Sequence, residues 1–79
     1  MVRPTRVTND IRRLRFAHGE MTQAELAEQV GVTRQTIIAI EQGRYSPSLE
    51  MAFQIAGAFG VPLDDVFQYP YTTTKENPR

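Results

Sequence analysis

Residues 22–44, TQAELAEQVGVTRQTIIAIEQGR, leave this chain few ways to fold. Thr22 stands three residues before Glu25, the spacing of a capping box in which each side chain bonds the other residue's backbone N–H. Leu26, Ala27 and Val30 follow at helical spacing. Gly31 accepts the left-handed conformation that ends a helix. Thr33 restarts the chain as a second N-cap, Ile37 and Ile40 form an inward stripe, and Gly43 closes the segment. Two helices this short are marginal alone, so the rest of the chain must cover them.

Two short helices across a tight turn make a helix-turn-helix, a unit that places its second helix in the DNA major groove. Around it, 79 residues allow one small domain. A domain of that size buries a modest fraction of its surface, so its stability is marginal unless a partner adds to it. The absence of cysteine excludes a disulfide scaffold, a cysteine-ligated zinc and a thiol nucleophile. No apolar run approaches the roughly 20 residues that span a bilayer, and MVRPTRVTND lacks the apolar stretch of a signal peptide. The expected location is the cytoplasm, on the nucleoid, with no membrane partner. There is one histidine, no carboxylate group at metal-ligand spacing and no glycine-rich phosphate loop. No enzyme, metal or cofactor is expected.

The formal net charge is zero, which argues against a polyanion as partner. The charges are unevenly placed, however. Residues 1–44 carry seven Arg against five acidic residues, whereas residues 45–79 carry two basic residues against four acidic ones. One basic face suffices to bind phosphate, because the local field matters more than the sum.

Taken in order, residues 1–7 read as an extended arm whose Arg3 and Arg6 either follow DNA or are simply solvated. Thr8 or Asn9 caps a first helix reaching about His18, with Ile11 and Leu14 inward. Phe16 lies off that stripe, at about 100° per residue. Either a chain terminus covers it or it contacts a second subunit. Met21 precedes the Thr22 cap as a staple residue. Ser48 caps a fourth helix, residues 49–59, whose wide apolar stripe of Leu49, Met51, Ala52, Phe53, Ile55, Ala56 and Phe59 makes it the most buried helix expected. Gly60 ends it. A last short helix, about residues 63–67, follows Pro62 and carries Asp64 and Asp65 at its positive end. No stretch before residue 69 alternates over strand length, and Pro70 weakens an edge strand at residues 69–74. The expected fold is all-α, five helices around one core. Its divisions are an arm at 1–7, a domain at 8–68 and a tail at 69–79 that joins the dimer interface.

Projected as a helix, residues 33–42 have two faces. Ile37 and Ile40 point inward, while Arg34, Gln35, Ile38 and Gln42 share another side. Arg pairs with guanine O6 and N7, Gln with adenine N6 and N7, and an apolar side chain touches a thymine methyl. That face is either a solvated polar surface with Ile38 folded over a neighbouring helix or, as the capped helix and tight turn before it favour, a base-reading face with Arg34, Gln35 and Ile38 as the expected base contacts. Gln23 and Thr33 sit at helix N-termini, which suit phosphate. With Thr36, Gln42 and Arg44 they form the phosphate-contact set. Arg15 and Glu41, each beside a core stripe, are expected to pair across helices one and three.

QAELA at 23–27, VGVTRQTI at 30–37, Ile40, Glu41 and Gly43, and Pro47-Ser48-Leu49 closely resemble the phage repressor and Cro-like helix-turn-helix proteins, the XRE family. The resemblance covers roughly residues 9–67 and is nearest to small stand-alone regulators. It implies a five-helix, lambda-repressor-like domain that binds double-stranded operator DNA as a homodimer. It also implies phosphate contacts at Gln23 and Thr33 and base contacts at Arg34 and Gln35. The chain departs from the family at Gly19, Glu20 and Met21, a turn one residue longer than usual.

A sequence-specific transcriptional regulator, more often repressor than activator, is the function these features favour. Its two-fold interface is expected at Leu63, Val66, Phe67, Tyr69 and Tyr71, because the chain's end carries more apolar surface than one small core needs; the other reading is that Tyr69 and Tyr71 fold back over Phe16 and complete the monomer. The alternative is a protein-interaction module, such as an antitoxin that covers a toxin partner through Phe16, Met51, Tyr69 and Tyr71.

Overall fold

A computed structural model describes residues 5–70. Five helices follow in order: α1 (Ile11–Ala17), α2 (Gln23–Val30), α3 (Arg34–Glu41), α4 (Leu49–Phe59) and α5 (Leu63–Val66). A two-residue strand lies at each end, β1 (Thr8–Asn9) and β2 (Phe67–Gln68), paired antiparallel with Thr8 opposite Gln68 and Asn9 opposite Phe67. The all-helical expectation stands, and the ribbon is an addition to it.

Local sequence sets most helix ends. The Thr22 hydroxyl accepts from the Glu25 N–H at 3.0 Å while the Glu25 carboxylate accepts from the Thr22 N–H at 2.8 Å, which completes the capping box. Thr33 and Ser48 cap α3 and α4 by accepting from the N–H groups of Thr36 and Met51. Gly31 ends α2 at φ 84°, and its N–H bonds the Ala27 carbonyl.

The core has one centre. Ile11, Leu26, Ile37, Ile40, Ile55 and Val66 are fully enclosed, and Leu14, Ala27, Val30, Ala56 and Phe59 complete the cluster. Each large side chain buried this way contributes about 2 kcal/mol relative to exposure. All five helices supply at least one of these residues, so α2 and α3 gain the cover they lack alone. Met21 packs against this core from the position before the α2 cap, as a staple residue should.

Three expectations need correction. Thr8 and Asn9 do not cap α1 as its N-terminal residue. They form β1, and Asp10 is the N-cap, without a side-chain cap bond. Asn9 Oδ1 still accepts from the Ile11 N–H at 3.1 Å, while its Nδ2 donates to the Ile40 carbonyl at 3.0 Å. One side chain thus ties the start of α1 to the last turn of α3. Secondly, a short strand does occur before residue 69, at Phe67–Gln68, because α5 stops at Val66 and the chain turns extended to meet β1; residues 71–74 of the edge strand considered from the sequence lie outside the described residues. Thirdly, the apolar stripe of α4 is not buried across its width. Ala52, Ile55, Ala56 and Phe59 are inside, but Leu49 is 67% and Phe53 55% exposed. At about 100° per residue these two lie together at one edge of the stripe, beyond the reach of the covering helices.

Candidate nucleic-acid interface

The second face of α3 is available because the first is fixed. Ile37 and Ile40 are at 0% and 2% exposure. Arg34 and Gln35 are exposed on the first turn, and Ile38 is half-buried one turn further along. Gln42 is the exposed C-cap, and Arg44 is exposed in the loop that follows. Thr33 is exposed at the cap. Thr36 is half-buried, its hydroxyl 3.1 Å from that of Thr33, so the pair closes the start of α3.

A buried ion pair holds α3 against the rest of the fold. Arg15 Nε donates to Glu41 Oε2 at 2.6 Å, Nη2 donates to Oε1 at 3.2 Å, and Nη1 donates to the Met21 carbonyl at 2.8 Å. Both side chains are only 9% exposed. The pairing expected from the sequence is therefore present and links α1, the turn before α2, and α3. Gln23 joins it, its Nε2 donating to Glu41 Oε1 at 3.2 Å. The side chain expected to meet phosphate is thus oriented by the same carboxylate that anchors the end of α3.

Above this pair opens a cleft of about 480 Å³ where α1, α2 and α3 meet. It brings together Gln23 and Arg34, both expected from the sequence, with Arg12 and Phe16, which were not assigned to DNA. The i, i+4 spacing of Arg12 and Phe16 on α1 was the available signal for that pair. Phe16 is 53% exposed, with no covering segment among the described residues. Arg12 and Arg15 each place a guanidinium carbon 5.6 Å from its ring centre.

The expected dimer residues do not all reach the surface. Val66 is at 0% exposure and serves the core, so it is removed from the interface set. Leu63 and Phe67 are half-buried, and Tyr69 is 46% exposed with the Arg6 guanidinium 5.9 Å from its ring centre. Tyr71 and Arg3 lie outside the described residues. Leu49 and Phe53, expected in the α4 stripe, are instead the most exposed large apolar side chains among the described residues. Among the described residues no group of His, Cys, Asp and Glu could hold a metal ion, and no helix is long and apolar enough to cross a membrane.

A capped helix pair with a fixed inner face and a polar outer face defines the helix-turn-helix class of protein. The helix-turn-helix family profile matches residues 11–66, and this chain belongs to that Cro/C1-type (XRE) family. An uncharacterised HTH-type transcriptional regulator of Methanocaldococcus jannaschii is 52% identical over 61 residues, spanning 77% of this chain and 91% of the relative. The cryptic phage CTXphi transcriptional repressor of Vibrio cholerae is 33% identical over 69 residues, or 87% of this chain and 61% of the repressor. The crystal structure of a hypothetical transcription factor from Neisseria superposes with a TM-score of 0.65 at 33% identity, over 70% of this chain and 61% of that one. The family is one of transcriptional regulators and not of enzymes.

Proposed function

We propose that this protein is a sequence-specific regulator of transcription that binds double-stranded DNA as a homodimer and acts as a repressor. The observation that carries the reading is the division of α3. Ile37 and Ile40 are locked in the core while Arg34 and Gln35 are exposed, with Ile38 half-buried beside them. Those three side-chain types match the hydrogen-bonding and methyl pattern of base edges in the major groove. Gln23, Thr33, Thr36, Gln42 and Arg44 flank them as phosphate contacts. The name of the Vibrio cholerae relative supports repression over activation.

Two-fold symmetry would set two α3 helices about one helical turn of DNA apart. The interface in this reading comprises Leu63, Phe67, Tyr69 and Tyr71, extended to Leu49 and Phe53. The extension is supported by continuity. One groove runs past Phe53 and Leu49, a second from Leu49 past Pro47 and Val7 to Leu63 and Phe67, and a third from Val7 and Phe67 to Tyr69.

The test is a competition mobility shift on DNA selected by the protein. A shifted band that survives excess unrelated DNA is expected. Three phosphates neutralised per subunit, about six per dimer, predict a log K against log salt slope of roughly −5. A flat salt response, or competition equal for all sequences, would contradict the reading.

A further inference from the structure

We propose that the cleft between α1, α2 and α3 takes a backbone phosphate of the DNA beside the base-read steps, with Arg12 as its cation and Phe16 as the ring that steadies Arg12. This rests on the DNA-binding reading above and adds residues that neither the motif nor the recognition helix supplies.

Charge bookkeeping inside the cleft points to an anion. Arg15 and Glu41 neutralise each other at its floor. That leaves Arg12 and Arg34 against Glu20 among the charged lining residues, an excess of one positive charge. Neither Arg12 nor Arg34 has a carboxylate partner among the described residues, whereas the neighbouring Arg13 pairs with Asp10 at 3.3 Å. A guanidinium fork matches phosphate oxygens two at a time. The exposed Phe16 ring fits this role too. A cation held over an aromatic face gives up part of its rotamer freedom before any ligand arrives. Arg12 lies 5.6 Å from the ring centre, within the range of such a contact.

Position identifies the anion as DNA. The same cleft contains Gln23, a proposed phosphate contact, and Arg34, a proposed base contact. A phosphate seated there belongs to the duplex that α3 reads. Glu20 opposes it, which makes Glu20 a built-in check: its removal should strengthen binding.

The experiment is fluorescence anisotropy over a range of NaCl, using the wild-type chain's selected DNA and an unrelated duplex of equal length. Arg12→Ala should weaken binding to both duplexes alike, between ten- and a hundred-fold at 0.1 M salt, and flatten the salt slope by about 2 for a dimer. Arg12→Lys should keep the wild-type slope, and Glu20→Gln should tighten binding to both duplexes. Unchanged affinity and slope in Arg12→Ala, alongside a wild type that discriminates, would overturn the inference while leaving the regulator reading intact. Loss confined to the selected duplex would also overturn it, since Arg12 would then read bases. A wild type without sequence preference would overturn the regulator reading itself. Equal melting temperatures for Arg12→Ala and wild type are the expected control, because the side chain is exposed.

Discussion

Glu41 has three donors in a small space: Arg15 Nε, Arg15 Nη2 and Gln23 Nε2. Removing a partner from a buried ion pair leaves the other charge unpaired, which commonly costs 3–5 kcal/mol, roughly, while replacing both with apolar groups is often neutral. Glu41→Ala should therefore cost about 3 kcal/mol in urea unfolding. An Arg15→Met, Glu41→Leu double variant should be more stable than the single. A double variant as unstable as Glu41→Ala would mean that the pair, and not the relief of an orphaned Arg15, carries the stability. The pair was legible in the sequence because each member sits next to a core stripe. Phe16 was not, because its angle on α1 excludes it from the stripe without saying what lies over it. Glu20 was noticed only as part of a long turn. Its φ of +58° follows Gly19 at +72°, so the turn takes two successive left-handed positions, one of them costing about 1 kcal/mol in a side-chain-bearing residue.

At the scale of elements, what was readable is what local chemistry decides. The caps at Thr22, Thr33 and Ser48 and the stop at Gly31 need only neighbouring residues. The β1–β2 ribbon joins residues some sixty positions apart, Thr8 with Gln68, and two residues per strand leave no alternation to detect. Asn9 was misjudged for the same reason, since its bond to the Ile40 carbonyl depends on where α3 lies. The α4 stripe was read as uniformly inward because periodicity shows which side chains share a face, not how far the covering helices extend. The exposed edge gives a prediction for that helix. Leu49→Asp with Phe53→Asp should leave the fold intact, because neither side chain is in the core, and should convert the proposed dimer to monomer in sedimentation. DNA affinity should fall with it, as each half-site would then be bound separately. A double variant that stays dimeric would take α4 out of the interface.

At the scale of the molecule, a chain with no net charge can grip a polyanion only if its cations are gathered where they are used. Arg12 and Arg34 share one cleft, and Arg44 follows the C-terminal end of α3. Glu50, Asp64 and Asp65 belong to α4 and α5, while Glu20 lines the same cleft as the two arginines. The core serves this arrangement: Ile37 and Ile40 are enclosed within it, so α3 presents its other side. On that side, in the proposed function, Arg34 and Gln35 read bases. Selection of binding sites from random duplex pools, run in parallel with the wild type and an Arg34→Ala, Gln35→Ala variant, tests it most directly. The wild type should select a two-fold related site, and the variant should bind more weakly and lose the preference at the positions those side chains touch. Recovery of the same site with the same preference by the variant would contradict base reading by Arg34 and Gln35.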